Sequence, residues 1–323
     1  MPPSTVPPAL NRVVAYYQTQ YNNNKYCSPT PLTPVVTHLI IAAFHLFADK
    51  DGTMLIHLND VSPEDSSFTQ MWTDVAQMQK SGVKVMGMLG GAGTGSYESL
   101  SKDFADYYHL LSTCITNHGL DGFDLDIEET DSLDNVVKLI QQLRSDFGED
   151  FIITLAPVAS ALKGGEDPFS GINYSDLEKN YGDAIDWYNA QFYSGYGSMK
   201  DTTDYDAIVT GCPLDPSRLV AIILTNKDNG TGWVELDTVK STVRKLLQQY
   251  SGRKYAGRFG GIAGWEYFNS EPDLNEPWTW ATVMKVAMVN WKEVLALKSP
   301  DATSESSTTQ RVTDVSDVQS HFN

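Results

Sequence analysis

Basic residues are scarce: 23 Lys and Arg stand against 41 Asp and Glu in 323 residues, a net charge of −18. Such a surface repels phosphate backbones and anionic lipid, so neither nucleic acid nor a membrane is an expected partner. Cysteine is scarcer still. Cys27, Cys114 and Cys212 are too few, and odd in number, for a disulfide framework. No apolar run approaches the ~18 residues that a membrane span requires. The opening MPPSTVPPALNRVV has no basic segment followed by an apolar one. The cytoplasm is the expected location, or the outside of the cell if a leader has been removed; glycosylation sequons at Asn173 and Asn229 are compatible with the second. The six histidines lack ligand spacing, although His45 and His57 are placed to reach a cleft. Gly90, Gly91, Gly93 and Gly95 crowd one stretch, yet neither GxGxxG nor GxxxxGK is satisfied, which argues against a phosphate loop. No metal and no cofactor are expected, and a monomer is.

What is present is a large core and many rings: 41% hydrophobic and 11% aromatic residues. Residues 1–11 are Pro-rich and read as a flexible arm; residues 297–323 are rich in Ser and Thr and read as a polar tail. Between them, in residues 12–296, eight short apolar runs recur: Val13–Tyr17, His38–Phe44, Val83–Leu89, Gly122–Ile127, Phe151–Ala156, Ile185–Phe192, Leu219–Leu224 and Gly261–Trp265. Most are continuous rather than alternating, as for parallel strands covered by helices. Helical patterns separate them, at about Phe68–Gln79, Phe104–Asn117, Val239–Tyr250 and Trp278–Leu295. The clearest is Ser132–Phe147, with Ser132 as N-cap, an apolar stripe of Leu133, Val136, Val137, Ile140 and Leu143, and Gly148 as stop. Strand–helix alternation eight times over predicts a single-domain α/β fold, a (β/α)8 TIM barrel of about 250 residues with extensions; an open doubly wound sheet is the alternative.

The most informative segment is Gly119-Leu-Asp-Gly-Phe-Asp-Leu-Asp-Ile-Glu128. On a strand, residues two apart share a face. Asp124, Asp126 and Glu128 then line one face and Phe123, Leu125 and Ile127 the other. The apolar face meets helices, so the acids point into the barrel toward its C-terminal mouth. Three carboxylates there are costly unless they share protons or bind something. An exposed edge strand with solvated acids is the bland alternative, disfavoured by the apolar flanks. A metal site is another, but three acids on one strand need ligands from elsewhere, and no His/Asp cluster supplies them.

Asp121-Gly-Phe-Asp124-Leu-Asp126-Ile-Glu128 resembles the DxxDxDxE signature of family 18 glycoside hydrolases, the TIM-barrel chitinases and endo-β-N-acetylglucosaminidases. The resemblance extends over Lys84–Gly91 (KVMGMLGG), Leu155–Pro157, Asp186–Gly195 (DWYNAQFYSG) and Gly264–Tyr267. ITLAPVASAL, WYNAQFYSGYGSM and GWEYFNS are similar in wording to fungal endo-β-N-acetylglucosaminidases. It implies Glu128 as proton donor, Asp126 as partner of the substrate acetamide N–H, Asp124 sharing a proton with Asp126, Tyr193 on the acetamide oxygen and Trp265 as sugar floor. Tyr16, Phe44, Gln191, Gly90 and Gly91 are expected around the sugar. Met88 departs from the pattern, standing where the family usually carries a Ser that helps hold the innermost aspartate. The resemblance implies retaining, substrate-assisted hydrolysis of the GlcNAc-β-1,4-GlcNAc core of N-glycans, with chitin oligosaccharide as the alternative substrate. A non-catalytic lectin on the same barrel is disfavoured by the presence of Glu128. Trp72, Trp233, Trp278 and Trp280 extend a glycan platform only if exposed; core packing is the alternative for each.

Overall fold

The computed structural model describes residues 11–212, 214–250 and 259–288. Most of the expected arm, the expected end of the barrel beyond Met288 and the tail at 297–323 lie outside the described residues. Eight parallel strands form the barrel: β1 (Arg12–Tyr17), β4 (His38–Ala48), β6 (Lys84–Gly90), β7 (Gly122–Asp126), β8 (Ile152–Leu155), β9 (Trp187–Gln191), β10 (Leu219–Leu224) and β11 (Gly261–Trp265). Each pairs with its neighbours in order, and β1 pairs with both β11 and β4, which closes the sheet. The expected barrel, rather than the open sheet, is what forms. Two small features are additions: a hairpin of β2 (Tyr21–Asn22) and β3 (Lys25–Tyr26), and β5 (Met54–Leu58), antiparallel to the far end of β4.

Helices α1 (Thr69–Lys80), α2 (Ser96–Lys102), α3 (Phe104–His118), α4 (Leu133–Phe147), α5 (Tyr174–Tyr181), α6 (Thr203–Gly211), α7 (Leu236–Gln249) and α8 (Trp278–Ala287) follow in chain order. In α4 the Ser132 Oγ accepts the Asn135 N–H at 3.2 Å, satisfying one of the free donors of the first turn, and Gly148 ends the helix at φ 78°. Its buried stripe of Val136, Val137, Leu139, Ile140 and Leu143 packs on the sheet. No helix among the described residues is long and apolar enough to cross a membrane.

The apolar interior is divided in two. The larger part lies between strands and helices and includes Leu39, Ile41, Phe123, Leu125 and Ile153. The smaller part lies inside the barrel and includes Val14, Tyr16, Ile40, Met86, Met88, Ile152 and Ile222. Strand β4 changes parity between them. His38 and Ile40 face in and Leu39 and Ile41 face out, but Ala42 and Ala43 both lie inside. The register against β6 slips between Ile41 and Phe44 at that point. Phe44 consequently turns outward onto Phe123, with ring centroids 5.4 Å apart. Among the tryptophans weighed as sugar platforms, Trp72 stacks on His118 and Trp280 is buried in the outer core, with Trp278 packed against it.

Candidate active site

The alternation of β7 is fully expressed. Phe123, Leu125 and Ile127 are buried in the outer layer, while Asp124 and Asp126 are buried on the inner side and Glu128 stands half-buried just past the strand end. Asp124 is held from three strands. Its Oδ1 accepts from Thr154 Oγ1 at 2.5 Å and Asn189 Nδ2 at 3.0 Å, and its Oδ2 from the Tyr16 hydroxyl at 2.7 Å. Met88 is the register neighbour of Asp124 on one side and Thr154 on the other. The hydroxyl that Met88 lacks is thus supplied from the opposite strand. Above it, Gln191 Nε2 donates to Asp126 Oδ1 at 3.1 Å, Glu128 Oε1 at 3.3 Å and the Ala156 carbonyl at 3.0 Å, so one amide ties the two upper acids together.

Burial sets the protonation of this column. It pushes the Asp124 pKa above the ordinary carboxylate range despite the opposing bonds from Thr154, Tyr16 and Asn189. Asp126 is pushed up furthest, first by burial and then by the charges of Glu128, Asp124 and Asp167, with only Gln191 opposing. Glu128 is raised by burial and, in addition, by Asp167. Burial thus shifts all three carboxyls in the same direction, and the acids titrate as a set rather than singly.

A hollow of about 410 Å³ opens at this end of the barrel, and Asp126, Glu128, Gln191, Tyr193, Trp265, Gly90 and Gly91 all line it. A Cβ on Gly90, at φ 93°, would stand 2.3 Å from the Asp126 carbonyl oxygen, so the backbone approaches the catalytic strand as only glycine permits. Two expected wall residues lie elsewhere. Tyr16 is 1% exposed and sits beneath the hollow, holding Asp124 and packing against the Trp265 ring at 5.5 Å. Phe44 is not brought to the site, because the slip in β4 turns it to the helices. His45 does line the hollow, whereas His57 packs edge-on against Phe47. A second, wider hollow of about 880 Å³ adjoins the first through Gln18, His45 and Gly93 and is walled by Thr19, Tyr21, Asn59, Asp60 and Ser67.

Several residues of the site escaped the sequence reading. Thr154 and Asn189 are inward positions on their strands, and the two-residue rule that found the acids links Asn189 to Gln191. Asp167, buried in the loop after β8, fixes a turn by accepting the Phe169 and Ser170 N–H groups, both at 2.9 Å. Glu266, beside Trp265, accepts the Thr19 N–H at 2.8 Å and the Gln18 N–H at 3.2 Å, which holds Gln18 at the boundary of the two hollows. Nothing local in the sequence marks either loop carboxylate. Asp121, the first acid of the signature, points away from the cleft: it accepts the Val85 N–H and Gln79 Nε2 and meets Lys84 Nζ, each at 2.9 Å. Burial pushes its pKa up, but those three bonds outweigh it and the carboxyl stays below the ordinary value. Among the described residues no group of three or more His, Cys, Asp or Glu side chains has the geometry to hold a metal ion.

The profile of glycosyl hydrolases family 18 matches residues 12–249. Among solved structures, a fungal endo-beta-N-acetylglucosaminidase of that family is 43% identical, covering 86% of this chain and 98% of its own, with a TM-score of 0.79. The chitinase ChiC of Aspergillus fumigatus is 44% identical over 86% of this chain and 100% of its own, with a TM-score of 0.75. Among curated relatives, Chitinase D of Niallia circulans is 25% identical over 127 residues, 34% of this chain and 24% of that protein. Endochitinase 4 of Metarhizium robertsii is 26% identical over 147 residues, 40% of this chain. The match spans less than half the length of either curated relative.

Proposed function

Since the chain belongs to glycosyl hydrolases family 18, we propose that it is an endo-β-N-acetylglucosaminidase cleaving the GlcNAc-β-1,4-GlcNAc core of N-glycans. The observation that carries hydrolysis is the inward column of Asp124, Asp126 and Glu128, in which Glu128 lines the hollow, half-buried, and is pushed toward its protonated form by burial and by the charge of Asp167. Family 18 departs from the two-carboxylate scheme of most retaining glycosidases and uses the substrate's own acetamide. In this reading Glu128 protonates the glycosidic oxygen. The 2-acetamido oxygen attacks the anomeric carbon, the bond to the leaving sugar breaks, and an oxazolinium ion forms. Asp126 accepts the acetamide N–H and offsets the positive charge, while Tyr193 orients the acetamide oxygen and Trp265 lies under the ring. Water, deprotonated by Glu128, then opens the ion with overall retention.

The preference for a branched glycan rests on the wide second hollow. Its wall mixes polar with apolar side chains; of its aromatics Phe68 is buried, Phe47 is engaged with His57, and Tyr21, exposed, packs against Tyr26. A linear polymer favours a row of exposed rings instead. The small Gly and Ser residues of Gly90–Ser96 and Phe192–Met199 also suit close approach by a branched ligand. The second reading, an endo-chitinase, is favoured by the 44% identity to ChiC and needs no change in the catalytic roles. The ratio of kcat/KM on a high-mannose glycopeptide to that on chitin oligomers decides between them, because it measures differential transition-state binding. Fast oligomer cleavage with no deglycosylation moves the assignment to chitinase.

A further inference from the structure

Strand β7 ends at Asp126, so the main chain carrying Glu128 has already left the sheet. Something must hold it, because general acid catalysis requires the proton within hydrogen-bond reach of the leaving oxygen. Two contacts with the loop after β6 bracket it. On one side the Gly91 N–H donates to the Asp126 carbonyl at 2.9 Å. On the other, the half-buried Glu129 spreads its carboxylate over three backbone N–H groups at the start of α2. Oε1 accepts the Gly95 and Tyr97 N–H groups, both at 2.9 Å, and Oε2 accepts the Glu98 N–H at 3.3 Å. The receiving segment is itself anchored. Tyr97 is 1% exposed and its hydroxyl donates to the Leu89 carbonyl at 2.9 Å, and Ser96 Oγ accepts the Leu46 N–H at 3.1 Å. Charge-assisted bonds of this kind are stronger than neutral ones and fix direction as well as distance. Glu129 is thus tied to a segment hydrogen-bonded to β4 and β6, and its neighbour is the acid.

Resting on the reading of Glu128 as proton donor, we propose that Glu129 is a positioning residue: its clamp on Gly95, Tyr97 and Glu98 sets the reach of the Glu128 carboxyl toward the glycosidic oxygen. Nothing in this role involves contact with substrate. Misplacement of a catalytic group by about 1 Å costs on the order of a hundredfold, and in the bond-breaking step the penalty depends on how much the leaving group needs the proton.

The test uses that selectivity. A sugar leaving group needs its oxygen protonated; a dinitrophenolate, a weak base, departs without help. Aryl β-glycosides and oligosaccharides are compared with one shared glycone, Man–GlcNAc or GlcNAc–GlcNAc, whichever the wild-type full-length protein turns over. Glu129→Ala should lower kcat/KM, which reports cleavage of the glycosidic bond and not the later attack of water, by about ten- to a hundredfold on the sugar leaving group and leave kcat/KM on the dinitrophenyl glycoside little changed. Glu129→Gln retains an acceptor oxygen for Gly95 and Tyr97 and loses only the bond from Glu98, so it shows the same split at lower amplitude, whether or not the alanine variant folds. Equal losses on both substrates, or no loss on either in the Gln variant, overturn the proposal. Glu128→Gln is the control. It must show the split in full; if it does not, the assignment of Glu128 itself fails, and the positioning role falls with it.

Discussion

Replacing Tyr16 by Phe removes one hydroxyl and keeps the ring that packs 5.5 Å from Trp265. What disappears is the donor 2.7 Å from Asp124 Oδ2, while the bonds from Thr154 and Asn189 to Oδ1 remain. The cost depends on the charge of Asp124. A hydrogen bond to a charged group contributes about 1.5–3 kcal/mol and one between neutral groups about 0.5–1.5 kcal/mol. Burial raises the Asp124 pKa in the fold, so the folded chain binds this proton more tightly than the unfolded chain does. Its contribution to stability is full below the unfolded value, about 3.9, and is lost as pH rises through the raised folded value. Tyr16→Phe removes a bond that favours the ionised form and so extends that loss. The stability gap between wild type and variant should be about 0.5–1.5 kcal/mol in acid and widen to about 1.5–3 kcal/mol once wild-type Asp124 is ionised. Urea denaturation followed by tryptophan fluorescence across this range gives the gap as the shift in midpoint multiplied by the common slope. A gap that stays constant, or narrows as the pH rises, refutes the argument that Tyr16 supports the charged carboxylate.

Glu128→Gln should fold as the wild type does and lose about 10²–10⁴-fold in kcat on natural substrate; retention of more than roughly a tenth of the activity, well above that range, would remove Glu128 from its role. A thiazoline analogue of the oxazolinium ion should inhibit competitively, since the site binds the transition state more tightly than the substrate, and mass spectrometry of a quenched reaction should find no glycosyl ester on Asp126. Asp167 adds to the raised pKa of Glu128, so Asp167→Asn should move the alkaline limb of the kcat/KM profile to lower pH; an unmoved limb, or one shifted upward, contradicts the assigned influence.

The architecture was legible because parallel strands covered on the outside are continuous apolar runs. All eight runs became barrel strands, and α1, α3, α4 and α7 begin or end within a few residues of the expected bounds. Short helices such as α2 and α5 carry too few turns to display a period. Strand β5 went unseen because its pairing partner, the outer half of β4, lies beyond the barrel. At the site, the acids could be found because they alternate with apolar residues on a single strand. Phe44 was expected at the sugar because it ends the run His38–Phe44. The slip in β4 after Ile41 puts Ala42 and Ala43 on one side, and no local residue type announces it. Support for Asp124 from Tyr16, Thr154 and Asn189 depends on register across several strands, and that register is a property of the closed barrel. Glu129 and Asp167 reach backbone groups on loops, where spacing carries no periodic signal.

Asp121 is written into the same short motif as the catalytic column, yet its oxygens serve β6 and α1 and never see the cleft. The motif is two inscriptions laid end to end, one for assembling neighbouring strands and one for breaking a sugar bond. Among the described residues the two share no hydrogen bond, so either could change without breaking the bonds of the other. A descendant relieved of catalysis would let Glu128 drift and keep Asp121, whose loss strands the Val85 N–H at the foot of the barrel. A descendant that kept the chemistry but replaced Asp121 would have to rebuild that joint by other means. Counting acids in the motif therefore says less about whether a relative still turns over substrate than asking which of the acids survive.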